Sequence, residues 1–435
     1  MREMKDSGVE WIGEIPKDWE ITQTRRLFRN EKNIVGDAAD EYERLALTLK
    51  GVIKRSKNDS EGLQPEKFER YQILRQNELV FKMIDLENVN TSRVGLSPYT
   101  GLVSPAYIVL KNDSDDNRYE YYWFMSMYYN EVFNHLGGDG VRSALNVKDM
   151  LSLPIPNISK IQKKTLADYL DAKCSKIDEF IEKQQAIIEK LKEYKLSIIT
   201  EVVTKGLNPD VEMMESGAEF VGKIPQNWSI AKLGNLFDFI GGYAFNSEMY
   251  VSESQNQVVR IGNVKNGYML LDSNPVFVND ETAERANKFL IKPNYILFTM
   301  TGTKGKRDYF FTHVVTEEDC KGKRLYINQR VGCFVAKKGV HPAYYGYLLK
   351  DNKILDGIFL YETGTANQGN LGIDSISRTK VHVPPYEEQC KIAEYLDKKC
   401  NMIDSNIYEK GRLIIKFQEY KKSLIYEVVT GKKEV

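Results

Sequence analysis

Apolar residues recur every seven positions along two long stretches that contain almost no glycine or proline. In the first stretch, Leu170, Ile177, Gln184, Leu191 and Ile198 form one series. Cys174, Ile181, Ile188, Lys195 and Val202 form the interleaved one. The second stretch repeats the arrangement with Leu396, Ile403, Lys410, Phe417 and Leu424, alongside Cys400, Ile407, Ile414, Lys421 and Val428. Held over five heptads, this is the a/d seam of a coiled coil. Gln184 and Lys410 interrupt the same a position, and Lys195 and Lys421 the same d position. Polar seam residues cost stability but fix register and orientation. Two matched seams joined through a folded region predict helices that pair with each other, antiparallel. A helix of about 35 residues spans roughly 50 Å.

Between these stretches the seven-residue pattern disappears. Short β-rich runs such as YIVL (107–110), VVRIGNV (258–264) and YILFTM (295–300) sit among Gly and Pro turns. Aromatic-rich EYYWFMSMYY (120–129) and PAYYGYLLK (342–350) read as short buried helices whose rings serve the core. Each region ends in a Pro-marked exit, LPIPN (153–157) and VPPYEEQ (383–389), since proline closes one element and is tolerated at the start of a helix.

The whole plan is written twice. SGVEWIGEIPKDW (7–19) returns as SGAEFVGKIPQNW (216–228), an offset of 209. YLDAKCSKID (169–178) returns as YLDKKCNMID (395–404), and EYKLSIITEVVT (193–204) as EYKKSLIYEVVT (419–430), both at 226. The offsets differ by 226 − 209 = 17, so the second variable region is longer by about 17 residues. The regions themselves, 20–155 and 229–382, share little sequence. Trp19 and Trp228 close the opening motifs and are expected to pack at the helix bases.

Composition narrows the function. With 61 basic and 61 acidic residues the formal charge is zero, so a basic surface must be local. The five cysteines, Cys174, Cys320, Cys333, Cys390 and Cys400, include no CxxC pair, which indicates neither a disulfide framework nor a zinc site. The N-terminus lacks an apolar leader core and no window approaches a membrane span; a reducing cytoplasm is expected. Catalytic patterns fail on inspection. VPPY (383–386) places Val383 where an amino-methyltransferase needs a polar acceptor. FIGGY (239–243) is only a two-glycine turn, and TGTKGKR (301–307) has Met300 where a P-loop needs glycine and no Ser or Thr after Lys306. His135, His313, His341 and His382 are scattered.

Opening motif, variable region and heptad helix, twice over, resemble the specificity subunit of Type I restriction-modification systems. GLVSPAY (101–107) and IKPNYILFTMTGTKGK (291–306) also look like segments of that family. The resemblance spans essentially the whole chain. It implies an α+β protein with pseudo-twofold repetition: a first target-recognition domain (1–158), a first spacer helix (159–206), a second recognition domain (207–385) and a second spacer helix (386–435). Each recognition domain would read one half of a bipartite site in double-stranded DNA, and the paired helices would set the gap. The helices would also dock two modification subunits that methylate adenine, joined by two restriction subunits. The chain itself would hold no metal or cofactor and catalyse nothing; S-adenosylmethionine, ATP and Mg would belong to the partners. Two alternatives stay open: a specificity chain serving a methyltransferase-only or nuclease-fused system, and a coiled-coil interaction protein without a DNA role.

Candidate DNA contacts are the basic clusters with adaptable neighbours. These are Lys50, Lys54, Arg55 and Lys57; Lys304, Lys306 and Arg307; and Lys321, Lys323, Arg324, Gln329 and Arg330. Arg142 in GGDGVR and Asn367 and Gln368 in ETGTANQGN lie in polar Gly-rich loops late in each region. Gly-rich loops let backbone approach phosphates, while Arg and Gln can read base edges. Taken singly, each such charge is also what an ordinary solvated surface carries. The first region holds 18 Lys and Arg against 20 Asp and Glu over 20–155, the second 19 against 15 over 229–380. Modest affinity from this chain alone is therefore expected.

Overall fold

The computed structural model describes residues 2–59, 67–83, 93–136, 144–365 and 367–435. It divides into two compact units: Met1–Gln185 with Lys410–Val435, and Ala186–Glu409. Each unit therefore takes one variable region together with part of both long helices, Lys160–Lys205 and Tyr386–Val429.

Both units are built on one frame. An opening hairpin pairs Met4–Asp6 with Glu14–Pro16 in the first unit, and Met213–Glu215 with Lys223–Pro225 in the second. The strand after the tryptophan then pairs antiparallel with the strand leading into the long helix. In the first unit Ile21 faces Pro156; in the second Ile230 faces His382. These partners are equivalent at the two repeat offsets, so the additional 17 residues of the second region are absorbed without moving the frame's register. Proline fits at Pro154 and Pro156 because this ribbon has only two strands, and an edge strand can spare a donor.

The heads held by that frame differ. In the first unit a four-stranded sheet runs in the order Gly51–Arg55, Arg44–Thr48, Gly101–Val103, Gln72–Leu74, beside a three-stranded antiparallel sheet centred on Leu79–Phe81. In the second, Phe237–Gly241, Val331–Ala336, Ile296–Thr299 and Thr312–Val314 form an antiparallel sheet. A further sheet pairs Asn256–Val259 parallel to Arg324–Ile327. The run VVRIGNV is strand at Val258 and Val259 and again at Val264; Ile261–Asn263 between them is a turn of 3-10 helix.

The aromatic runs are helices, Arg118–Tyr129 and Pro342–Leu348, with buried rings. They tie each head to both long helices by equivalent bonds. Tyr119 Oη donates to the Val429 carbonyl at 2.8 Å, and Tyr122 Oη to Asp171 at 2.7 Å. Tyr344 Oη donates to the Val203 carbonyl at 3.0 Å, and Tyr347 Oη to Asp397 at 2.7 Å. Each head thus sits on the start of the helix that follows it in sequence and on the end of the other one.

The helix pairing follows the same logic. In the first unit Lys421 reaches Asp178 at 2.7 Å, Phe180 meets Phe417 with centroids 4.4 Å apart, and Lys410 donates to Gln184 at 3.2 Å. Numbers rise on one helix as they fall on the other, so the helices run antiparallel there. In the second unit Lys195 reaches Asp404 at 2.6 Å. The two seam lysines therefore each find the aspartate of the opposite helix's repeated Ile-Asp pair. These pairs are partly exposed and contribute about 0.5 kcal/mol each at most; their geometry fixes register more than it adds stability. Leu170, Cys174, Ile177, Ile188 and Val202 are buried on one helix, and Leu396, Cys400, Ile403, Ile414, Leu424 and Val428 on the other. Ile181, Leu191, Ile198, Ile407 and Phe417 are half-buried. Near the helix ends burial extends to Ile199, Val203, Ile425 and Val429, because 3.6 residues per turn drift off a strict heptad and the heads pack there.

Candidate nucleic-acid interface

The basic clusters end up in three different settings. In the first unit, Lys50 stands exposed in the turn between Arg44–Thr48 and Gly51–Arg55. Lys54 is ion-paired to Glu43 at 2.5 Å and lies over the Tyr99 ring. Lys57 Nζ donates to the Ala39 carbonyl at 2.7 Å. Arg55 is half-buried in the same strand. Arg142 and its GGDGVR loop lie outside the described residues.

In the second unit, Lys321, Lys323 and Arg324 lead into the strand Arg324–Ile327 and are met by acids: Glu318 at 3.2 Å, Asp272 at 3.3 Å and Asp280 at 2.5 Å. Asp280 is held below the usual carboxylate range by the Asn256 amide and by Arg324. Gln329 and Arg330 come at the far end of that strand and are exposed. Sequence proximity had grouped them with Lys321, but a strand separates them.

The structure instead joins Arg330 to the TKGK loop. The Met300 amide donates to the Arg330 carbonyl, and the Leu371 amide to the Met300 carbonyl. Thr301–Gly302 pairs with Gln368–Asn370, which pairs in turn with Thr363–Thr365. One surface therefore presents Lys304, Lys306, Gln329, Arg330, Asn367 and Gln368, all exposed. Lys304 Nζ donates to the Gly364 carbonyl at 2.9 Å. Lys306 and Arg330 form no ion pair among the described residues. Arg307 turns away: at φ 50° its guanidinium pairs with Asp356 at 2.6 Å and covers the Phe359 ring. Asp308 caps the loop by accepting from the Thr303 amide at 2.7 Å; the Thr303 side chain and then this amide hold its carboxyl low.

The glycines of this surface have local reasons. A side chain at Gly242 would strike the Asn328 carbonyl, and one at Gly302 would meet Asp308 Oδ1 at 2.6 Å. FIGGY is thus a close backbone crossing beside the turn that carries Gln329 and Arg330. The carboxylate at the centre of the surface, Glu362, escaped sequence reading because a lone glutamate beside a Gly-rich run carries no pattern.

Among the described residues no group of three or more His, Cys, Asp or Glu could hold a metal, and no helix is long and apolar enough to cross a membrane. Cys174 and Cys400 are buried seam residues; burial pushes the Cys174 thiol up to about 11.

Comparison with known proteins fits this architecture. The Type I restriction modification DNA specificity domain family matches residues 225–415. A putative type I restriction enzyme MjaX specificity subunit of Methanocaldococcus jannaschii is 22% identical, over 97% of this chain and 95% of its own. The MjaVIII specificity subunit of the same organism is 23% identical over 76% of this chain and 74% of its own. A chain from a solved structure concerned with assembly and conformational transition of the type I R-M system superposes with a TM-score of 0.68. It covers 95% of this chain and 98% of its own, at 12% identity, and so shares the fold. The class is that of α+β proteins with two long helices. By sequence and fold the chain is similar to the specificity subunits of Type I restriction-modification systems.

Proposed function

We propose that this chain is the non-catalytic DNA-recognition subunit of a Type I system. Each head reads one half of a bipartite site. The paired helices set the unspecific gap and dock two modification subunits that methylate adenine in both halves; restriction subunits complete the nuclease. S-adenosylmethionine, ATP and Mg belong to those partners. The observation that carries the reading is the contrast between frame and head. Opening hairpin, strand pair, tyrosine bonds and Lys–Asp pairs are repeated in equivalent places, while the sheets they carry differ. A repeated frame suits two copies of one partner, and unlike heads suit two unlike half-sites.

On the second head, Lys306 and Arg330 supply charge toward phosphates, and Asn367, Gln368 and Gln329 are placed to reach base edges. The local supply of unpaired cations is small, so partner subunits closing around the DNA provide much of the affinity. Methylome sequencing in a host without other adenine methyltransferases, carrying this chain and its cognate modification subunit, tests the reading. A bipartite motif with a fixed gap, lost when this gene is deleted, is expected. Methylation that persists without the chain would contradict it.

A further inference from the structure

Glu362 is a carboxylate at the centre of a surface proposed to approach a polyanion, where its charge repels the ligand. Its surroundings give a reason for its presence. Oε1 accepts from Tyr309 Oη at 2.7 Å, and Oε2 accepts from the Gly305 amide at 3.1 Å. Tyr309 is 3% exposed and packs against Phe359, its hydroxyl kept protonated by burial and by this bond. Gly305 has φ 76°, so the loop turns back at the residue Glu362 grips. A side chain at Gly369 would collide with Glu362 and Tyr309 and lie 3.1 Å from Lys304 Cα. One carboxylate thus joins three segments: the TKGK loop through Gly305, the core through Tyr309, and the strand Gln368–Asn370 through the glycine that leaves it room.

Resting on the reading above, we propose that Glu362 is the positioning residue of the second recognition surface. It holds the loop carrying Lys304 and Lys306 in fixed register with Gln368, so that this head discriminates its half-site. It touches no base or phosphate; it acts through the loop, and what matters is acceptor geometry and not charge. Preorganised contacts lose specificity when their support is loosened by about an ångström.

The test uses the full chain with its modification subunit, and duplexes altered in one half-site at a time. Glu362→Ala is expected to raise the concentration needed for methylation at least ten-fold. It should also relax discrimination in the half read by residues 229–382, leaving discrimination in the other half and the salt slope of binding unchanged. Glu362→Gln, which keeps one acceptor oxygen at the Oε1 position, 2.7 Å from Tyr309 Oη and 3.3 Å from the Gly305 amide, should be less impaired than Glu362→Ala. Tyr309→Phe, which removes one donor and keeps the ring, should fall between them and carries the test if Glu362→Ala melts early. Undiminished discrimination in Glu362→Ala and Tyr309→Phe, or Glu362→Gln as impaired as Glu362→Ala, overturns the proposal. Lys306→Ala with Arg330→Ala is the separate arm for the surface itself. It should reduce the salt slope by about one to two while keeping discrimination. No change in slope or affinity would show that this surface does not face DNA and would remove the basis for the proposal as well.

Discussion

The two units answer the same structural problem with different materials. In both, a tyrosine from the head reaches a last-turn carbonyl of the long helix that does not directly follow it in sequence, Tyr119 to Val429 and Tyr344 to Val203. In both, a tryptophan closes the frame beside a glycine at a helix end, Trp19 near Gly431 and Trp228 near Gly206. Beyond the frame little is shared. The first head brings Lys54 and Lys57 to Glu43 and to the Ala39 carbonyl; in the second, Lys306 and Arg330 are exposed and form no ion pair among the described residues. The comparison teaches that the frame is constant and the heads vary, and each prediction below separates the two.

The largest effect should come from exchanging residues 229–382 for another recognition region that keeps the flanking strand pair. Because the register Ile230–His382 survives a 17-residue length difference, the exchange should replace one half of the methylated motif and preserve the other half and the gap. Methylome sequencing reads the outcome; changes in both halves would break the division between frame and head.

Next comes acid. His382 is 1% exposed, and burial holds its pKa down to about 4. Its equivalent in the first unit is Pro156, which cannot titrate. The folded state disfavours the imidazolium that forms near pH 6.5 once the chain unfolds. The stability is therefore present above about 6.5 and lost as pH falls toward 4. The full loss is about 3 kcal/mol, confined to the second unit. Between pH 7 and 4.5 the stability of the wild type relative to His382→Leu should fall as pH falls; parallel curves would contradict this.

A smaller contrast concerns the helix ends. Gly206 and Gly431 both have positive φ, at 81° and 72°. A methyl at Gly206 would meet the movable Glu388 carboxylate at 2.7 Å, whereas one at Gly431 would strike the Pro16 ring and lie 3.0 Å from Trp19. Gly206→Ala should cost about 1 kcal/mol for the backbone conformation alone, and Gly431→Ala about 1–2 kcal/mol more. Equal losses in chemical denaturation would mean that the first frame gives way more easily than its packing suggests.

Much of this was legible in the sequence because the frame is periodic and written twice. Heptads announced both helices, the polar positions at Gln184, Lys195, Lys410 and Lys421 announced register, and the aromatic runs announced the helices that dock on them. The opening motif was visible, but not that SGVEWIGEIPKDW packs against a helix end more than 400 residues away; Tyr426 donates to the Ile12 carbonyl at 2.9 Å. The candidate surface was legible only in part. Basic runs are local in sequence, while their neutralising acids are not: Asp272 lies 51 residues from Lys323, and Asp280 lies 44 from Arg324. Only the fold could separate Lys321 and Arg324 from Arg330, or bring Lys304 to Gly364.

The central claim is that the helices set the gap and the heads do not. Removing one heptad from each long helix, between the Asp–Lys pairs, keeps the seam in phase. It takes about 10 Å from each helix, or about three base pairs at 3.4 Å each. Methylome sequencing of this variant with its modification subunit should show the same two half-sites separated by a gap about three base pairs shorter. The original gap, retained with both half-sites still methylated, would contradict the account.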